Sequence, residues 1–262
     1  MNHPRPLSQV ANYLLKNYGY LITYEEAPYD KGELRNDNAA NGGGYWYPSS
    51  KPVTFHLKQH ERRLNQTDST THNGLSELDK EMISAFVREH NESGNPGRFS
   101  VMFDGEYAHV IPSGQVVNGK SKPYEPILNA KIEMSEGSQG CGETLNEFFA
   151  KIQSVRGVRV VGGPFGANSL MLHKCTIEGR GLTARQVLIQ MLRGMGDNGQ
   201  DSPPTRFAYH LMHDTNGGDR YFLSIWPAPY EQQAAPASRI NTEAMQEVQK
   251  QSNGIRTQKA KQ

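Results

Sequence analysis

Cys141 stands between two glycines in the stretch SQGCGETLNEFFAKIQSVRG (138–157), just ahead of a helical apolar pattern. A thiol at a helix N-terminus is the setting of a cysteine nucleophile, because the helix dipole lowers its pKa. A nucleophile also needs a base, and FAYHLMHDTNGGDRYFLSIW offers His210 or His213 on a predicted strand. Two features weigh against this chemistry. Thr144 and Glu147 make a T-x-x-E capping box, which starts the helix at Leu145 and leaves Cys141 ahead of its first turn. No third residue stands out to orient the base. The other cysteine, Cys175, lies in a predicted strand of the same half of the chain. A Cys141–Cys175 disulfide is therefore a second reading, and an ordinary turn cysteine a third. The disulfide would argue for an exported protein.

The remaining chemistry-bearing groups give weaker signals. His56 and His60 straddle a strand end, while His210 and His213, three apart on a strand, point to opposite faces. Neither pair has metal-site spacing, and no Cys/His cluster does, so no metal and no cofactor are expected. GSQGCG and GGPFG cluster glycines without a GxGxxG frame or a Walker lysine, which makes them turns. The carboxylates Glu25, Glu26 and Asp30 show no pairing and are expected to be solvated. GGGYWYP (42–48) places Tyr45, Trp46 and Tyr47 in a glycine-rich loop, a candidate binding lip for peptide or glycan.

Composition narrows the partners. The 262 residues carry a formal net charge of +1, so no basic field invites nucleic acid. No run approaches the ~20 apolar residues of a membrane span. The first residues, MNHPRPLSQVANYLL, lack the charged and apolar segments of a signal peptide.

The elements that must position these groups follow from periodicity. Helices are expected at 7–17, 76–91, 144–155 and 182–196, from apolar residues three and four apart. Ser76 caps the second, whose buried stripe reads Leu78, Met82, Phe86 and Val87. Leu145, Phe148, Phe149 and Ile152 form the stripe of the third. Strands are expected at 20–25, 53–57, 127–134, 157–163 and 172–179. Hairpins are expected across Asp104–Gly105 and across 215–218. Residues 30–52 read as a loop, 59–75 and 113–126 as polar connections, and 231–262 as a disordered tail.

The halves repeat in element order rather than in letters. Residues 7–112 read helix, strand, strand, helix, hairpin. Residues 127–226 read the same after one extra leading strand. The unmatched strand suggests that the native gene product extends upstream, with that strand and an export signal. The protein is then periplasmic or exported; with Met1 as the true start it is cytoplasmic.

The unit CTIEGRGLTARQVLIQMLRGMG…TRFAYHLMHDTNGGDRYFLSIWP resembles the secretin and TonB short N-terminal domain family. Leu182, Ala184, Val187, Leu188 and Leu192 carry the match, and PLSQVANYLLKNYGYLITYE (6–25) resembles the same helix–strand portion. The resemblance implies an envelope module that binds other proteins and has no catalytic residues. Separately, QGCG resembles the sequence around the nucleophile of papain-like peptidases.

The expectation is an α+β protein of two consecutive small modules, each a short mixed or antiparallel sheet with two helices packed on it. The modules span 1–118 and 119–230. The expected function is non-catalytic protein interaction in the bacterial envelope, through sheet edges and the 26–52 loop. The alternative is a papain-like thiol hydrolase using Cys141 with His210 or His213.

Overall fold

A computed structural model describes residues 4–36, 45–53, 55, 74–165, 173–196 and 205–228. His56 and His60, most of the strand expected at 53–57, and the tail expected at 231–262 lie outside them. The helices are α1 (Pro6–Tyr18), α2 (Glu77–Glu92), α3 (Cys141–Arg156) and α4 (Ala184–Gly196). The strands are β1 (Leu21–Glu25), β2 (Leu34–Asn36), β3 (Trp46–Pro48), β4 (Arg98–Asp104), β5 (Tyr107–Val117) and β6 (Lys120–Pro123). They continue with β7 (Gly137–Gly140), β8 (Arg159–Phe165), β9 (Lys174–Ile177), β10 (Phe207–His213) and β11 (Arg220–Pro227).

The helices form where the apolar period is clean. Pro6 begins α1 at a position whose N–H would have no helical partner. Gly19 ends it in the left-handed conformation (φ 69°), donating to Leu15 O. Leu7, Val10, Ala11 and Leu14 make its buried stripe. In α2 the Ser76–Asp79 capping box forms, but the stripe is Ile83, Phe86, Val87 and His90. Leu78, expected inside, is 60% exposed. Five residues before Ile83, it falls about 140° around the helix from that stripe.

Four segments depart from expectation. Residues 30–52, expected as a loop, carry a 3-10 turn at Lys31–Glu33 and the paired strands β2 and β3. Gly137–Gly140, expected as a turn, is β7. Both gain ladder partners distant in sequence. The other two are 127–134 and 113–126. Residues 127–134 are not a strand. They hold a single 3-10 turn at Ile127–Asn129 and one isolated bridge, Lys131 to Thr183. Ile127 and Leu128 are both buried, which strand alternation forbids on a one-sided sheet. The segment instead serves α4: Ala130 O accepts from Ala184 N at 2.8 Å, satisfying a first-turn donor. The polar connection at 113–126 is a hairpin. β5 runs on to Val117 and turns through Asn118 (φ 52°) and Gly119 (φ 73°) into β6. Two positive φ values in succession are what a type I′ hairpin loop requires.

One seven-stranded mixed sheet runs in the order β4-β5-β1-β10-β11-β8, with β6 added to β5. The two halves have the same pairing scheme. In the first, β1 lies parallel to β5, which is antiparallel to β4. In the second, β8 lies parallel to β11, which is antiparallel to β10. A parallel contact, Tyr24 to His210 and Glu25 to Leu211, joins β1 to β10. It follows that β8 runs opposite to its counterpart β1, so the second half is turned over relative to the first.

The helices therefore fall on both faces of the sheet. One core packs α1 and α2 on Ile22, Tyr24, Phe99, Ala108 and Val110. The other packs α3 and α4 on Leu21, Tyr107, Tyr209, Leu211, Tyr221 and Leu223. The two halves are thus fused through a continuous sheet, and the boundary expected at 118–119 is the tip of the β5–β6 hairpin.

The junction of the halves carries a buried charge. Glu25, at the end of β1, is 1% exposed and points toward α4. Arg185 of α4 holds it with two bonds, Nε to Oε1 at 2.7 Å and Nη2 to Oε2 at 3.0 Å. Tyr209 of β10 donates to the same Oε1 at 2.7 Å, and Asn129 Oδ1 accepts from Arg185 Nη1. Removing one member of such a pair leaves an uncompensated buried charge, which typically costs ~3–5 kcal/mol. Arg185→Met is expected to lower unfolding stability by about that amount, read from urea titrations of the full chain. A loss below about 1 kcal/mol would show that the pair does not fasten the halves.

Candidate functional site

Cys141 is the first residue of α3, with Gly140 as N-cap, and not a residue ahead of the helix. The expected capping box does not form. Thr144 Oγ1 donates back to Gly140 O at 3.1 Å, and Glu147 accepts from Ser135 N and Oγ. The start is set by the β7–β9 ladder, which ends at Gly140–Lys174 and delivers Cys141 N to His173 O at 2.9 Å. Local sequence could not show this, because the partners of Gly140 and Cys141 lie more than 30 residues away.

The same ladder brings the cysteines together. Cys141 and Cys175 are disulfide-bonded, with Cα atoms 4.8 Å apart, and both are fully buried. No thiol is left at either position for the helix dipole to activate. The expected base His210 lies on the other side of the sheet. Its Nδ1 meets Ser8 Oγ of α1 at 3.0 Å and its ring meets Tyr24 edge-on, whereas Cys141 sits in the α3/α4 core. His213 packs against Tyr221, and its backbone N–H donates to Glu26. The residues proposed for a thiol hydrolase are thus not assembled. Among the described residues no group of three His, Cys, Asp or Glu side chains is placed to hold a metal, and no helix could cross a membrane.

Glu25 and Glu26, expected to be solvated, are both 1% exposed. They are adjacent in the chain and turn to different partners. Glu25 meets Arg185, as described. Glu26 accepts from Arg5 Nε at 2.7 Å, Tyr24 OH at 3.0 Å and His213 N at 2.9 Å. A legible hint exists in LITYEE, where two carboxylates end an apolar strand. Their cations, Arg5 and Arg185, could not be chosen from sequence.

Tyr45, Trp46 and Tyr47 sit at a two-stranded ribbon, β2 paired with β3 in the register Asn36–Trp46, Arg35–Tyr47 and Leu34–Pro48. Tyr45 is 64% and Trp46 42% exposed, and the Tyr45 and Tyr47 rings lie 6.4 Å apart. The ribbon is anchored on the β10–β11 loop: Trp46 N donates to Asn216 Oδ1 at 2.9 Å, and Thr215 Oγ1 donates to Trp46 O. At its base, between the α2–β4 turn and the β5–β6 hairpin, lies an open cleft of about 400 Å³. Asp30, also expected to be solvated, ties this region together, accepting from Lys31 N at 2.8 Å and Gly119 N at 2.9 Å.

The sheet's two edges differ. The outward N–H and C=O of Phe99 in β4 are both bonded by the Asn91 side chain, which closes that position. In β8, Arg159 N bonds inward to Asp219 O. Alternation along a parallel ladder then turns the N–H and C=O of Val160 and Gly162 outward. No described strand pairs with them.

Searches against family models, curated proteins and solved structures found no match for this chain.

Two predictions follow from the buried groups. The disulfide closes a separation of 34 residues, for which loop-closure entropy gives about 4 kcal/mol. Cys141→Ala/Cys175→Ala should lose most of that in denaturant titrations; an unchanged midpoint would contradict it. Burial holds His109 and His210 neutral, pushed down to about 3 and about 4, the charge of Arg185 adding to the effect at His109. Unfolded histidine titrates near pH 6.5. Below that pH the unfolded chain takes up protons that the folded one refuses, so stability falls with pH until the folded values are reached. Each ring should cost about 2 kcal/mol between pH 7 and pH 5. His210→Gln should reduce the measured difference by about that amount, whereas equal differences in variant and parent would refute it.

Proposed function

We propose that this protein is a non-catalytic interaction module that docks a protein partner by strand addition on β8. The observation that carries the reading is the outward-facing Val160–Gly162 edge, a backbone template with no described partner strand. Two identically paired halves fused into one sheet make a rigid platform for that edge. The asymmetry of the edges supports the same choice, since Asn91 blunts β4 at Phe99 while, among the described residues, no strand pairs with the outer side of β8.

The fully buried disulfide supports an oxidising compartment, in keeping with an exported protein of the bacterial envelope. The resemblance to secretin and TonB short domains points the same way. The partner is then an envelope protein with an exposed extended segment. A near-neutral charge gives no long-range steering, so specificity would come from backbone pairing and side-chain fit.

Gly162→Pro tests the reading. It removes an outward N–H without removing a bond to β11, and proline is tolerated at an edge. Crosslinked partners recovered by mass spectrometry with the parent chain should be lost with Gly162→Pro, while thermal unfolding of the variant stays within a few degrees. Recovery of the same partner at undiminished yield would overturn docking at β8.

A further inference from the structure

The cleft beneath the aromatic ribbon is a second surface, independent of the β8 edge. Its charged side chains are Glu33 and Arg98, of opposite sign, and neutral hydrogen-bonding groups supply the rest: Ser49, Asn95, Gln115 and Ser121. Such a lining presents no net field for a phosphate or a cation. It also lacks the apolar walls that hold most compact organic ligands.

Its acceptors are held in place. Glu33 Oε2 accepts from Asp30 N at 3.0 Å and Oε1 from Gly97 N at 3.3 Å, which fixes the carboxylate between two turns. With one bond to each from the described residues, each carboxylate oxygen keeps a further lone pair for an incoming hydroxyl. Asn95, 6% exposed, is fixed by Lys51 N and by Ser93 Oγ. Preset planar acceptors of this kind suit a ligand that carries many neutral O–H groups.

The ribbon supplies the complementary feature. The chain that contributes Ser49 to the cleft leaves β3, which holds Trp46 and Tyr47 and follows directly on Tyr45. At about 3.3 Å per residue, Tyr47 stands ~7 Å and Tyr45 ~13 Å along the chain from Ser49. Exposed aromatic residues along the chain from a polar cleft whose two charges are of opposite sign match a sugar chain, whose rings pair an apolar C–H face with a rim of hydroxyls. A volume of about 400 Å³ lies within the range of ligand pockets.

We propose that the cleft and the ribbon together bind a neutral oligosaccharide, its hydroxyls meeting Glu33 and the neutral side chains and a neighbouring sugar ring stacking on the ribbon. The proposal goes beyond the protein-docking reading and does not depend on it.

An array of neutral and acidic oligosaccharides probed with the full chain, followed by calorimetry on the strongest hit, tests this. Neutral oligosaccharides should bind. Glu33→Gln, which loses the charge and keeps an acceptor, should weaken binding about tenfold. Trp46→Ala, at an exposed position, should weaken it about three- to tenfold. Gly162→Pro should leave it unchanged, which separates this site from the docking edge. Binding of acidic glycans alone, no binding at all, or binding indifferent to both Glu33→Gln and Trp46→Ala would overturn the proposal.

Discussion

The architecture turns on two adjacent carboxylates at the end of one central strand. Glu25 finishes β1 in the middle of the sheet and Glu26 follows it, where water does not reach them. A buried carboxylate is tolerable only when a cation and hydrogen-bond donors meet it. Glu25 is met by Arg185 from α4, and by Tyr209 from β10. Glu26 is met by Arg5, which precedes α1, by Tyr24 and by the backbone of His213. The pair thus ties β1 to a helix of the second half and to the strand it must join. Mispairing β1 with any other strand would strand two charges in an apolar core.

From that junction the rest of the layout follows. Because β1 and β10 are parallel, the second half is inverted, and its helices cover the opposite face. Each face then gets its own apolar core, and the chain becomes a three-layer molecule rather than two separate modules. The inversion also decides which strands end the sheet. The disulfide works inside the second half, fastening the start of α3 to β9, which itself packs on α4. Arg185 is thereby carried on a helix braced from behind.

The two surface features use this rigidity differently. The β8 edge belongs to the sheet and inherits its stiffness. The aromatic ribbon is an outgrowth between β1 and α2, pinned by Trp46 to the β10–β11 loop and by Asp30 to the β5–β6 hairpin. It is held by hydrogen bonds to turns rather than by a core of its own.

What the sequence determined by itself is what local physics controls. Helices α1 to α4 and the hairpins β4–β5 and β10–β11 are legible, since apolar period, caps and turn residues act within a few positions. The exposure of Tyr45 and Trp46 was also legible, whereas their ribbon was not, because glycines and consecutive aromatics have no strand period and β3 forms only against β2. Tertiary structure alone decided the rest. The T-x-x-E box at Thr144 lost to a ladder with β9, and the apolar run at 127–134 became a brace for α4. LITYEE could not name Arg5 and Arg185 as its partners, 21 and 160 residues away. The pairing of Cys141 with Cys175, and the inversion that separates Cys141 from His210, likewise depend on which strands meet. Those contacts repay their closure entropy only when the whole sheet forms, so no short window of sequence contains them.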